Sequence, residues 1–110
     1  MSKLHQLVES TFDQDVLASA GPVLVDFYAA HCSPCRMMES VLDDIAREYE
    51  GRVTVGRLDV DASDSIAMRY GIMGTPTLGC FRDGRLVDRL LGYPGPRGVR
   101  AFVEKHAPAG

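Results

Sequence analysis

The feature that most constrains this chain is the junction at residues 31–35, His-Cys-Ser-Pro-Cys, where its most apolar run meets its best amphipathic one. Residues 23–29 read Val-Leu-Val-Asp-Phe-Tyr-Ala, a near-continuous apolar stretch of the kind a parallel strand covered on both faces shows, interrupted only by Asp26. Beyond the junction, Cys35, Met38, Val41, Leu42, Ile45, Ala46 and Tyr49 recur at helical spacing, while Arg36, Glu39, Asp43, Arg47 and Glu50 fill the other face. The pattern is strand, turn, helix. Pro34 fits the first helical turn, where a missing N–H costs nothing. A cysteine at the head of such a helix faces unpaired backbone N–H groups and the positive end of the helix dipole, which favour thiolate over thiol. Cys32 is therefore a candidate nucleophile at neutral pH.

The flanking sequence supplies the other elements. Residues 4–8 fit a short edge strand, and 11–17 a first helix capped by Ser10 or Thr11 and stopped by Gly21-Pro22. The long helix, 32–50, is closed by Gly51. Residues 53–60 then alternate as a strand, giving a strand-helix-strand unit whose crossover is expected to be parallel and right-handed. Residues 61–70 read as a weaker helix stopped by Gly71, and 77–82 and 85–91 as a hairpin around Asp83-Gly84. A Gly- and Pro-rich loop, 92–98, leads to a final helix over about 99–106 and a flexible tail at 108–110.

A chain of 110 residues, 45% of them hydrophobic, is expected to form a single domain over 1–110 with a core that needs no metal or disulfide framework. The net charge of -3 is spread along the sequence, so no basic footprint for nucleic acid and no polybasic membrane patch is present. No apolar run approaches the roughly 20 residues that span a bilayer, and the N-terminus lacks the apolar region of a secretory signal. A cytoplasmic location is expected. In a reducing compartment a close cysteine pair is catalytic or metal-binding. Half a zinc site would need Cys80 with His5, His31 or His106, none in paired ligand spacing, so redox chemistry is favoured and no metal is expected. Cys80, in an apolar strand beside Phe81, reads as buried filler. Asp26 must either reach water or carry a displaced pKa suited to proton transfer.

Cys-x-x-Cys opening the second helix, Asp26 in the central strand, Gly74-Thr75-Pro76 after the third helix, Asp-Gly in the hairpin and Gly92 after the last strand together resemble the thioredoxins. The resemblance runs nearly gap-free over residues 4–106. The stretches Val-Asp-Phe, Cys-x-Pro-Cys-Arg-Met, Tyr-Gly-Ile-x-Gly-Thr-Pro-Thr-Leu and Phe-x-x-Gly carry it far more specifically than the cysteine pair alone. It implies an α/β thioredoxin fold, a central mixed five-stranded sheet flanked by four helices, and a cis peptide at Pro76. The implied activity is reversible reduction of protein disulfides, with Cys32 attacking, Cys35 displacing the product and Asp26 helping to deprotonate Cys35 through water. Thr75 and Pro76 are implied to present backbone to an extended substrate, with Gly74 and Gly92 keeping the surface flat. The family further implies no bound cofactor, electrons from NADPH or NADH through a flavoprotein thioredoxin reductase, and a monomer.

Several positions depart from the family pattern. The usual Trp before the first cysteine and Gly after it are replaced by His31 and Ser33, and the chain contains no Trp. Protonated His31 and the Ser33 hydroxyl would both stabilise the thiolate, which predicts a more oxidising couple. Tyr93 and Pro94 are candidates to replace part of the lost apolar contact for substrates. Arg57 stands where thioredoxins commonly have Lys; if close to Asp26, it should hold that acid more firmly ionised. Ser40 replaces the Pro that commonly kinks the long helix, so a straighter helix is expected. A disulfide oxidase or isomerase stays open as a reading, as does a non-enzymatic docking subunit using the surface around Cys32, Thr75 and Gly92.

Overall fold

The apolar run becomes the central strand β2, Val23–Tyr28, with Val23 through Phe27 all buried, as expected for a strand covered on both faces. The computed structural model describes residues 4–108, so Ala109 and Gly110 of the expected tail lie outside the described residues. Strands β1 (His5–Gln6), β3 (Thr54–Asp59), β4 (Thr77–Arg82) and β5 (Arg85–Leu91) complete a five-stranded sheet in the order β1-β3-β2-β4-β5. The β1–β3 and β2–β3 pairs are parallel, while β2–β4 and β4–β5 are antiparallel, so the sheet is mixed. Asp83 and Gly84 both adopt positive φ, 54° and 79°, the geometry of a two-residue hairpin turn matched to strand twist.

Alternation along β2 divides the core. Leu24 faces helices α1 (Ser33–Glu48) and α3 (Pro96–His106), with Met38, Leu42 and Ile45 of α1 and Val99 and Val103 of α3 packed over it. Val23, Val25 and Phe27 face the other way, toward Phe12, Val16 and Ile66, the last on helix α2 (Asp64–Arg69). Asp26 shares the Leu24 face, which puts a carboxyl on the α1 side of the sheet. Met38, Leu42 and Ile45 are wholly buried, and truncating any one of them to Ala would cost roughly 2–5 kcal/mol. This packing fixes the head of α1 against the sheet.

Four boundaries differ from the sequence reading. The regular first helix expected over 11–17 is instead a 3-10 turn, Glu9–Thr11, followed by a π turn, Asp13–Leu17, and no side chain caps either. Phe12 packs its ring against Tyr70 and Phe81, at 5.8 and 5.6 Å between centroids, and this anchoring outweighs the weak helix propensity of a short Asp- and Thr-containing segment. The edge strand β1 is only His5–Gln6, because the chain turns at Val8 to deliver Phe12 to the core. Helix α2 starts late because Asp59 Oδ1 accepts hydrogen bonds from the Asp61 and Ala62 N–H groups and holds the intervening residues as a turn. Helix α3 starts early, at Pro96, a residue preorganised for the first helical position.

Candidate active site

Cys32 is the N-cap of α1: its backbone is extended, and its Sγ accepts a hydrogen bond from the Cys35 N–H at 3.2 Å. Pro34 sits in the first turn, and Cys35 lies one turn in, on the buried face. The two cysteines form a disulfide with Cα atoms 5.2 Å apart. They are unequal. Cys35 is 1% exposed, whereas Cys32 is half-buried at the surface. A sulfur at the N-cap, accepting the Cys35 N–H at the positive end of the helix dipole, sits where negative charge on sulfur is favoured.

The loop before β4 meets these sulfurs. The Thr75–Pro76 peptide is cis, the Thr75 hydroxyl donates to Cys32 Sγ at 3.8 Å, and the Thr75 carbonyl oxygen lies 3.9 Å from the same sulfur. Gly74 receives a hydrogen bond from the Thr77 hydroxyl at 2.7 Å. Gly92, at φ 77°, donates its N–H to the Pro76 carbonyl at 2.8 Å and so ties the loop after β5 to the same edge. His31 is exposed with φ 59°, and the Ser33 hydroxyl oxygen accepts from Arg36 Nη2 at 3.3 Å.

A second cluster lies on the α1 side of β2. Asp26 is wholly buried, Arg57 Nε donates to its Oδ2 at 3.4 Å, and its Oδ1 has no hydrogen-bond partner among the described residues. Burial pushes the Asp26 pKa up from 3.8 to about 6; Arg57 pulls it down and the Glu39 charge pushes it up, both by less. Arg57 does approach Asp26 as expected, yet desolvation outweighs its charge. The guanidinium is itself held from two further directions, over the Tyr28 ring at 3.7 Å and by Glu39 Oε2 at 3.4 Å from Nη1. Cys80 is wholly buried opposite Leu24, and burial pushes its thiol up, away from reactivity.

Sequence reasoning named Gly74, Thr75, Pro76 and Gly92 on the surface beside the disulfide but missed Met73, Arg89 and Leu91, which extend it. A groove of about 570 Å³ runs from Thr75, Pro76 and Gly92 past Met73 and Leu91 to Arg89. Met73 is 95% exposed and Leu91 72% exposed, whereas Tyr93 is half-buried and packs on the core under α1 and α3. Leu91 could have been found as the apolar residue on the outward phase of β5. Among the described residues, no group of three or more His, Cys, Asp or Glu is placed to hold a metal, and no helix is long and apolar enough to cross a membrane.

The thioredoxin family model matches residues 3–105. The chain belongs to the thioredoxin family. It is 43% identical to thioredoxin 1 of Nostoc sp., over 96% of this chain and 99% of that protein. It is 39% identical to thioredoxin of Pseudomonas aeruginosa, over 89% of this chain and 91% of that protein. Thioredoxin of Staphylococcus aureus is 38% identical, over 92% of this chain and 95% of its own length. As a thioredoxin with its cysteine pair at bonding distance, the protein is a thiol-disulfide oxidoreductase. The mixed sheet with α1, α2, α3 and the joined 3-10 and π turns of residues 9–17 as a fourth helical region is that of the thioredoxin fold, and the family carries electrons on its cysteines rather than on a bound cofactor.

Proposed function

We propose that the protein reduces disulfides of other proteins, with Cys32 as nucleophile, Cys35 as resolving thiol and Asp26 as proton acceptor. The Cys32 thiolate attacks one sulfur of the substrate disulfide, forming a mixed disulfide and releasing the other sulfur as a thiolate. Cys35 then passes its proton toward Asp26 and attacks Cys32 Sγ. The second substrate thiolate leaves, and the Cys32–Cys35 disulfide holds the two oxidising equivalents. A flavoprotein reductase using NADPH or NADH returns two electrons to close the cycle. Thr75, cis-Pro76, Gly74 and Gly92 present flat backbone to the substrate strand, and the protein works as a cytoplasmic monomer.

The observation that carries this reading is the asymmetry of the pair, one sulfur half-buried at the surface on a helix N-cap and the other fully buried one turn behind it. An acid titrating near neutrality on the same side of the sheet supports the role given to Asp26, because a proton acceptor works best with a pKa near the working pH. Insulin reduction coupled to a flavoprotein reductase and NADPH tests the proposal. Turnover that vanishes in Cys32→Ser is expected; turnover that survives it overturns the assignment.

A further inference from the structure

Arg89 lines the groove that begins at cis-Pro76, and it is the only charged residue among those forming the groove wall. Its side chain leaves β5 on the face of Gly79 and crosses to the end of α2, where Nη2 donates to the Tyr70 carbonyl at 2.9 Å and Nη1 lies 3.4 Å from the Gly71 carbonyl. Both acceptors are neutral. Among the described residues no carboxylate forms an ion pair with it, although Asp88 beside it is engaged by Lys105 and His106 instead. A guanidinium has five N–H donors in a planar fork, so two carbonyls leave the charge uncompensated and donors free. The remaining wall is Met73, Leu91, Gly74 and the Thr75–Pro76 backbone, with Met73 and Leu91 largely exposed. The groove is thus an apolar channel with backbone on one side and one anchored cation at its far end.

We propose that Arg89 is a specificity-determining residue that selects substrates carrying an acidic side chain close to the disulfide being reduced. An extended substrate segment lying beside the Thr75 backbone places alternate side chains toward the groove, where apolar ones meet Met73 and Leu91 and a carboxylate meets Arg89. The two carbonyls hold the guanidinium in one orientation, so little side-chain freedom is lost when a carboxylate docks. The inference rests on the reading of Cys32 as the attacking sulfur, since only then does the groove lie along the substrate.

The test uses the full-length reduced protein and a set of disulfide peptides identical except for Glu, Gln or Lys at each position within three residues of the cysteine, with rates of reduction measured at low and high salt. At one or more positions the Glu peptide is expected to react about two- to fivefold faster than the Gln peptide, the range an exposed ion pair commands, and the Lys peptide more slowly. The preference should fade with added salt. Because Arg89 also braces the end of α2, the readout is the Glu-to-Gln ratio rather than the rate itself. Arg89→Gln is expected to bring that ratio to about one and Arg89→Lys to keep it above one. Equal rates for Glu and Gln peptides at every position in the native protein, or a ratio that survives Arg89→Gln, overturn the proposal while leaving the role of Cys32 intact. Failure to reduce any peptide overturns the reading of Cys32 and this inference with it.

Discussion

Arg57 reaches one oxygen of Asp26, Oδ2, from 3.4 Å and leaves the other, Oδ1, buried with no hydrogen-bond partner among the described residues. One contact of that length does not offset the desolvation of a wholly buried carboxylate, so the acid is held near pKa 6 rather than 3.8. The folded protein then binds this proton more tightly than the unfolded chain does, so the contribution of Asp26 to stability is greatest below about pH 4 and is lost as pH rises toward 6. The difference between 3.8 and about 6 corresponds to about 3 kcal/mol lost by neutrality. Asp26→Asn mimics the protonated acid. Urea unfolding of the oxidised protein should find the variant more stable by about that amount at pH 7, with the gap closing below pH 4. Equal stability at pH 7 would show that the acid is not desolvated as described.

Glu39 and Asp26 compete for the same guanidinium. Removing the Glu39 charge frees Arg57 for Asp26 and also removes a repelling anion, so both effects act in one direction and Glu39→Gln should lower the Asp26 pKa. Arg57→Lys should raise it, since a single ammonium cannot bridge both acids with a rigid fork while stacking on Tyr28. Direct NMR titration of the Asp26 carboxyl in the two variants checks both signs, and movement in the same direction for both would contradict the bridging role.

Much of this arrangement was legible before the structure. The apolar run at β2, the helical spacing that buries Met38, Leu42 and Ile45, and the Cys-x-x-Cys junction are local periodicities, and the packing of the sheet follows them directly. The misread segments are those whose shape is set from afar. Phe12 distorts its own helix because Phe81 and Tyr70 claim its ring, and β1 is cut short by the same demand. Glu39 and Arg89 escaped notice for a related reason. Each is an ordinary polar position on its own element, and its importance comes from a long side chain meeting groups 18 residues away, for both Arg57 with Glu39 and Arg89 with Gly71.

His31 and Ser33 bear on the redox potential. Arg36 donates to the Ser33 oxygen, which leaves the hydroxyl proton free for a thiolate on Cys32, and the exposed His31 lies next to that sulfur in sequence. Stabilising the reduced form makes the couple more oxidising, and about 30 mV corresponds to roughly 1.4 kcal/mol for two electrons. A His31→Trp, Ser33→Gly double variant should therefore be more reducing by a few tens of millivolts. Equilibration of both proteins with glutathione redox buffer measures the difference, and equal potentials would refute an electronic role for the two residues.

Gly92 is required by backbone conformation rather than by space. Its φ is 77°, its N–H donates to the Pro76 carbonyl at 2.8 Å, and an added Cβ would meet nothing within 4 Å. Gly92→Ala should therefore cost about 1–2 kcal/mol through the left-handed backbone alone, seen as a melting temperature lower by several degrees. Relief of that cost would come by rotating the peptide away from Pro76, releasing the edge that frames the groove beside the disulfide. Reduction of a protein disulfide should then slow more than reduction of a small aromatic disulfide, which needs Cys32 but little of the groove. An unchanged melting temperature together with equal losses for both substrates would show that the Gly92 backbone does not hold this edge in place.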